Sequence, residues 1–231
     1  MTEPAGPEAR PLSLALGAAG KVSALWLTPA KAVACYVFAH GAGAGMTHAS
    51  MTSFAEGLAA REVATLRFQF PYMERGSKRV DPPAVARAAV RAAVDEAARL
   101  AGGLPLFAGG RSFGGRMTSQ AQAEEPLPGV RGLAFVGFPL HPAGRPGTER
   151  ATHLSAIEIP MLFLQGTRDE LATLDLLNPL VHGLGPNATL ELFDDADHSF
   201  HVRTRSGRND AQVREAMLDA TLAWMATILA R

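Results

Sequence analysis

Short apolar runs alternate with amphipathic stretches along most of the 231 residues. Such runs, bounded by glycine, proline or polar residues, predict buried β-strands. The run AVACYVFAH, 32–40, is almost wholly apolar, as expected for a strand covered on both faces. The pattern predicts strands at 12–16, 22–28, 32–40, 63–70, 104–109, 130–138, 159–166 and 188–193.

Helical patterns fill most of the intervals between these strands. A long helix is predicted to begin at the DPP segment 81–83, where Asp81 is a candidate N-cap and the prolines suit the first turn. Its apolar stripe ends at two glycines, 102–103, which are typical of a helix C-terminus. Further helices are predicted at 49–61, 113–124, 171–182 and 208–230.

Alternation of buried strands with helices predicts an α/β fold: one mostly parallel sheet of about eight strands with helices on both faces. The first two strands have no helix between them, so we expect an antiparallel edge. We predict a single domain over 1–231, with 1–11 as a flexible N-terminus. The loop 138–158 is the candidate lid-like element, which leaves little or no cap domain.

Composition narrows the possible partners. Lys and Arg total 22, and Asp and Glu total 22, so balanced charge gives no case for nucleic acid or an anionic membrane. The N-terminus lacks the pattern of a signal peptide and no run is long enough to span a bilayer, which favours a cytoplasmic protein. Cys35 is the single cysteine, lies in a strand-like run, and is interpreted as core packing.

The motif GGRSFGG, 109–115, contains a G-x-S-x-G centred on Ser112. It follows the predicted strand 104–109 and opens the predicted helix 113–124, which is the context of a nucleophile elbow. Glycines at 110 and 114 relieve crowding around a serine on such a sharp turn. A serine hydroxyl needs a base to take its proton and a carboxylate to orient that base.

Two later loops supply those partners. Asp169 follows the strand 159–166, and His198 follows the strand 188–193, so both are expected at the carboxyl edge of a parallel sheet. His201 is an alternative to His198. The alternatives to Asp169 are the loop carboxylates Asp194, Asp195 and Asp197.

An oxyanion hole completes the predicted site. One donor is the backbone N–H of Phe113, which follows the nucleophile. The other is expected from the glycine-rich loop after the strand 32–40, where Ala42 is favoured and Gly41 and Gly43 are alternatives.

The same GAGAG segment, 41–45, permits a dinucleotide-binding interpretation. A complete G-x-G-x-x-G needs glycine at position 46, where the chain has Met46, and Glu62 is the candidate ribose acid. That interpretation leaves the serine, aspartate and histidine unexplained.

The motifs HGAGAG, GGRSFGG, GTRDE and DADHSF, in this order and each after a strand, resemble those of the α/β-hydrolase superfamily. Within it the chain is similar to the small, cap-poor dienelactone-hydrolase-like branch, which includes the testis-expressed (Tex) hydrolase-like proteins. This resemblance implies a metal-independent serine hydrolase without an organic cofactor. Dienelactone hydrolases carry cysteine at the elbow and this chain has Ser112, so dienelactone is not inferred as the substrate.

The sequence therefore predicts a serine hydrolase that cleaves an ester or thioester of a small-molecule acyl substrate. The alternative is a protein-interaction module built on the same fold with an inactive triad. A basic loop with Arg75, Lys78 and Arg79, and also His141, could contact substrate, although a solvated loop also explains the basic residues.

Overall fold

The computed structural model describes residues 7–17 and 20–230. Eight strands of this part of the chain form one sheet, in the order β1-β2-β4-β3-β5-β6-β7-β8. They are β1 (Arg10–Ala15), β2 (Lys21–Leu27), β3 (Ala34–Ala39), β4 (Val63–Phe68), β5 (Leu106–Arg111), β6 (Val130–Val136), β7 (Met161–Gly166) and β8 (Ala188–Phe193). The pairs β1–β2 and β2–β4 are antiparallel and all later pairs are parallel, which confirms the predicted sheet and its antiparallel edge.

Helices cover both faces of the sheet. One apolar core lies beneath α1 and α6, and the other lies beneath α3, α4 and α5. The helices are α1 (Ala49–Ala59), α2 (Pro71–Glu74), α3 (Pro83–Ala101), α4 (Phe113–Glu124), α5 (Leu174–Gly183) and α6 (Asp210–Leu229), with short 3-10 turns at Gly185–Asn187 and Thr204–Ser206. The predicted loop 138–158 contains a 3-10 helix, Glu149–Ala156, which packs on α4, and no large cap is present among the described residues.

Asp81 does not cap α3, in contrast to the prediction. Pro82 is the N-cap residue, and it makes no side-chain capping bond. The buried Asp81 carboxylate instead accepts hydrogen bonds from the Tyr72 amide and the Arg75 guanidinium, both at 2.8 Å. These contacts tie the start of α3 to α2, a helix too short to leave a periodic signal in the sequence.

The predicted flexible segment 1–11 overlaps an ordered strand. Arg10 and Pro11 pair with Trp26 and Leu25 in the antiparallel β1–β2 ladder. Proline is compatible with an edge strand because it needs to donate no hydrogen bond on the outer side. Residues 1–6 lie outside the described residues.

Candidate active site

Ser112 lies in a sharp turn between β5 and α4, where φ is 48° and ψ is −113°. This left-handed backbone is strained for a residue with a Cβ, and such strain is concentrated at functional positions. The turn is possible because Gly114 packs directly on β3: a Cβ there would lie 2.6 Å from the His40 carbonyl oxygen. Ser112 is also the N-cap residue of α4 but makes no capping bond, so its hydroxyl is available for another partner.

That partner is His198. The Ser112 Oγ and His198 Nε2 atoms are 2.9 Å apart, and His198 Nδ1 lies 2.7 Å from Asp169 Oδ2. An ionised carboxylate only accepts hydrogen bonds, so the proton of a neutral His198 belongs on Nδ1. The Nε2 lone pair then faces the Ser112 hydroxyl and can accept its proton.

Asp169 is held in place from two further directions. It is 3% exposed, its Oδ1 accepts the Leu171 amide at 2.8 Å, and its Oδ2 also accepts the side-chain amide of Gln165. Gln165 is itself buried and accepts the Phe138 amide through Oε1. The carboxylate that orients His198 therefore has a fixed position.

The alternative residues have other partners. His201 contacts Asp210 at 2.9 Å, Asp197 accepts two backbone amides of its own loop, and Asp195 pairs with Arg203. Asp194 is exposed. The structure thus brings Ser112, His198 and Asp169 together, and it brings none of the alternatives into this chain of contacts.

The predicted oxyanion donors are also close to Ser112. The amides of Phe113 and Ala42 have no acceptor among the described residues. A Cβ on Gly41 would lie 3.7 Å from the Ser112 Cβ, so the loop passes directly beside the nucleophile. The Gly43 amide, an alternative donor, already donates to the Tyr72 hydroxyl at 3.2 Å. This geometry leaves Ala42 and Gly41 as the available loop amides.

The buried ring of His40 ties the start of this loop to the chain after β4. Its Nδ1 lies 2.8 Å from the Gly41 carbonyl, and its Nε2 accepts the Phe70 amide at 3.0 Å. Both contacts require the neutral tautomer with the proton on Nδ1. Burial lowers the pKa of His40 to about 4, which keeps it neutral at physiological pH. His40 therefore braces the loop, as its fully buried position indicates.

Two further side chains hold the end of the loop. Gln69 accepts the Met46 amide at 2.9 Å, and the guanidinium of Arg67 donates to the Met46 carbonyl at 3.0 Å and to Thr52 at 2.8 Å. Arg67 is 2% exposed. The sequence interpretation did not identify Gln165, Arg67 or Tyr72. A charged residue inside the apolar run VATLRFQF was an available signal for Arg67.

The remaining candidates have structural partners or lie on the surface. Arg75 is engaged by Asp81, while Lys78 and Arg79 are exposed. His141 is buried; its Nδ1 lies 3.0 Å from the Pro142 carbonyl and its Nε2 has no partner among the described residues.

The position of Glu62 does not fit the dinucleotide-binding interpretation. Glu62 precedes β4, and its carbonyl accepts the Val33 amide near the start of β3. It therefore lies at the amino end of the parallel strands, whereas the glycine-rich loop lies at their carboxyl end. A ribose-binding acid is expected at the carboxyl end.

Two absences hold for residues 7–17 and 20–230. Within these ranges no three His, Cys, Asp or Glu side chains are grouped as a metal site. No helix there has both the length and the apolar character to cross a bilayer.

Comparison with known proteins supports the same fold. A family model described as an alpha/beta hydrolase domain matches residues 32–226. An α/β serine hydrolase without a lid from Xanthomonas campestris has 21% identity and a TM-score of 0.72, with 96% of each chain covered. A dienelactone hydrolase from Anabaena variabilis has 19% identity and a TM-score of 0.74, covering 92% of this chain and 96% of its own.

A cold-adapted esterase from an Arctic intertidal metagenomic library is also similar. It has 16% identity and a TM-score of 0.69, with 94% of each chain covered. At these identities the structural likeness supports the fold alone. The family match spans most of the sequence and agrees with the eight-stranded sheet: the chain belongs to the α/β hydrolase family.

Proposed function

We propose that this protein is a serine hydrolase that cleaves carboxylic esters or thioesters of small acyl substrates. One observation carries the proposal: Ser112 Oγ, His198 Nε2, His198 Nδ1 and Asp169 Oδ2 form a continuous chain with separations of 2.9 and 2.7 Å. This is the arrangement that activates a serine for acyl transfer.

In the first step Ser112 Oγ attacks the acyl carbon and its proton moves to His198 Nε2. The carbonyl oxygen becomes an oxyanion that accepts hydrogen bonds from the Phe113 amide and a loop amide, which we assign to Ala42. His198 then donates the proton to the leaving alkoxide or thiolate as the bond to the acyl carbon breaks. The acyl group stays on Ser112 as an ester.

In the second step water replaces the leaving group. His198 Nε2 takes a proton from water, the hydroxide attacks the acyl carbon, and the same amides stabilise the second oxyanion. The proton returns to Ser112 Oγ as the acyl bond breaks and the carboxylic acid departs. Asp169 stabilises the imidazolium in both steps and holds its orientation.

The surroundings of the site support an exposed acyl substrate. The His198 side chain is 26% exposed, and the segment that follows β6 packs on α4 without forming a large cap. Neighbours described as an esterase and a serine hydrolase share this fold.

Intact-mass labelling with a fluorophosphonate tests the proposal without knowledge of the substrate. We expect one adduct on the native protein and none on Ser112→Ala. Ser119→Ala is a matched control, because Ser119 Oγ also lies 2.7 Å from a histidine, His153, but no carboxylate binds that ring among the described residues. Ser119→Ala should therefore label like the parent protein.

The labelling result separates the two functional interpretations. Loss of the adduct in Ser112→Ala alone supports the activated serine and leads to hydrolysis assays with aryl esters and thioesters. A folded native protein that gives no adduct over a wide pH range would overturn the proposal. The interaction-module alternative would then be favoured.

A further inference from the structure

A cavity of about 390 Å³ lies on the sheet face covered by α1 and α6. Arg111, Val136 and Ser199 belong to its lining; the first precedes Ser112 and the last follows His198 in the chain. Two lining residues are thus chain neighbours of proposed catalytic residues, although none of the three catalytic side chains belongs to the lining. Its volume lies within the range typical of small-molecule sites.

Arg111 is the unusual member of this lining. It is the last residue of β5, it is half-buried, and its guanidinium has no hydrogen bond or ion pair among the described residues. Its guanidinium carbon lies 6.0 Å from the centroid of the Phe200 ring. Burial lowers the pKa of Arg111, while the more distant carboxylates of Asp197 and Asp169 act in the opposite direction.

Neither of those carboxylates forms a hydrogen bond or ion pair with Arg111 among the described residues. Asp197 accepts the Ser199 and His201 amides, and Asp169 accepts Gln165, Leu171 and His198. A guanidinium whose donors have no protein partner presents a planar set of donors that matches a carboxylate. The unpaired Arg111 is therefore suited to an anionic group that arrives with a ligand.

The rest of the lining limits the charge and shape of that ligand. Phe38, Phe54 and Met217 form apolar walls, which suit a short hydrocarbon chain. Arg111 and Arg214 are the cationic residues of the lining and Asp210 is the anionic one, which leaves one positive charge without a counterpart in the lining. A single net charge fits a monoanion such as a carboxylate better than a dianionic phosphate ester.

We propose that Arg111 binds a carboxylate of the substrate, and that the preferred substrates are esters with an acidic group a few carbons from the scissile carbonyl. The proposal rests on the proposed esterase function, since it names the substrate class of the same site. Because Arg111 and Ser112 are consecutive, a carboxylate held in the cavity would align an ester of this kind with the nucleophile.

Matched substrates test this preference. Mono-4-nitrophenyl adipate and 4-nitrophenyl hexanoate have acyl chains of equal carbon number and differ in the terminal carboxylate. We expect kcat/KM to be about 10-fold or more higher for the adipate, since hydrogen bonds to charged groups have this magnitude. The butyrate ester of 4-hydroxybenzoate, with its carboxylate on the leaving group, shows which arm of the substrate enters the cavity.

Arg111→Gln should lower the acidic-to-neutral ratio of kcat/KM by about 10-fold or more, and Arg111→Lys should give an intermediate ratio. Arg99→Gln is the control; this exposed arginine of α3 pairs locally with Glu96 and should leave the ratio unchanged. Arg111→Gln is expected to remain folded, because the guanidinium has no protein partner to leave unpaired. Thermal denaturation of both Arg111 variants checks this point.

Direct binding distinguishes failure of the pocket from failure of the esterase proposal. Ser112→Ala should bind monomethyl adipate about 10-fold or more tighter than methyl hexanoate by calorimetry at low salt. Equal binding and equal hydrolysis of the two esters would overturn the carboxylate site while leaving the esterase proposal intact. Tight binding of the acidic ester without hydrolysis by the parent protein would support the pocket and overturn the esterase proposal.

Discussion

Arg67 and Arg111 lie on the same face of the sheet, on β4 and β5, with β3 between them. Arg67 donates to the Met46 carbonyl and to Thr52 and so holds the loop that carries the proposed oxyanion donors. Arg111 has no such partner and faces a cavity. The buried Arg67 thus holds the protein's own structure, whereas the half-buried Arg111 leaves its donors for the proposed ligand.

The loop that Arg67 holds and the cavity that Arg111 lines also differ in their polar contacts as a whole. On the loop side, the Gly43 amide, the Met46 amide and carbonyl, and the Phe70 amide all have partners, mainly side chains. Backbone amides that must stabilise an oxyanion need a fixed position before the substrate arrives. A side chain that recognises the substrate needs free donors instead, and Arg111 meets that condition.

The largest expected effect on stability comes from a substitution at Gly114, where α4 packs against the end of β3. Gly114→Ala would place a Cβ 2.6 Å from the Ala39 carbonyl carbon and the His40 carbonyl oxygen, where α4 meets β3. We expect a loss of about 4 kcal/mol or more in the free energy of unfolding, or failure to fold. Urea denaturation followed by circular dichroism measures this loss.

Gly183→Ala is the control for that experiment. Gly183 lies at the end of α5, and a Cβ there would meet no atom within 4 Å. Alanine has the higher helix propensity, so this variant should be as stable as the parent protein or slightly more stable. Equal stability of the two glycine variants would show that the junction at Gly114 is not tightly packed.

A pH effect of intermediate size is expected on the loop side. The pKa of His40 is about 4 in the folded protein, below its ordinary value of about 6.5, so the unfolded chain binds more protons between these values. Stability should therefore be fully present above about pH 6.5 and should fall as the pH is lowered toward 4. Protonation of His40 should lower the free energy of unfolding by about 1.4 kcal/mol per pH unit, or about 3 kcal/mol in total between these pH values.

His40→Gln isolates that contribution, since a glutamine oxygen can occupy the Nε2 position and accept the Phe70 amide without titrating. Between pH 7 and pH 4.5 we expect the variant to lose less stability than the parent protein in urea denaturation. His153, whose pKa is also lowered to about 4 by burial, remains in both proteins, so some pH dependence persists. An identical pH dependence in the two proteins would contradict the assignment of His40.

Arg67→Met tests whether Arg67 holds the loop that carries the proposed oxyanion donors. Methionine fills much of the same volume but leaves the Met46 carbonyl without its donor, which should loosen the oxyanion loop. For a neutral aryl ester we expect kcat to fall about 10-fold with a smaller change in KM, because the loop acts mainly in the transition state. An unchanged kcat in folded Arg67→Met would show that the loop keeps its position without this anchor.

Much of the fold and the proposed catalytic residues could be predicted because their signals are local. Each of Ser112, Asp169 and His198 follows an apolar strand, so the topology of a parallel sheet places them at one edge. The partner of Asp81 and the bracing role of Tyr72 depend on contacts between separate elements, which no periodicity reports. Arg111 could be predicted only in part. Its charge at the end of an apolar strand is visible in the sequence, but its lack of a partner is a property of the folded chain.

Tyr72→Phe is expected to have the smallest effect, and it tests which amide serves the oxyanion. The Tyr72 hydroxyl accepts the Gly43 amide at 3.2 Å, a long hydrogen bond. Its loss should cost about 1 kcal/mol of stability and change kcat less than about 3-fold, because Phe113 and Ala42 remain as donors. A loss of about 100-fold in kcat, with the fold intact, would instead place the Tyr72 hydroxyl on the oxyanion, since removal of one such donor has that magnitude. Helix α2 would then supply a tyrosine hydroxyl in place of the Ala42 amide of the loop, and Tyr72 would be a further catalytic residue.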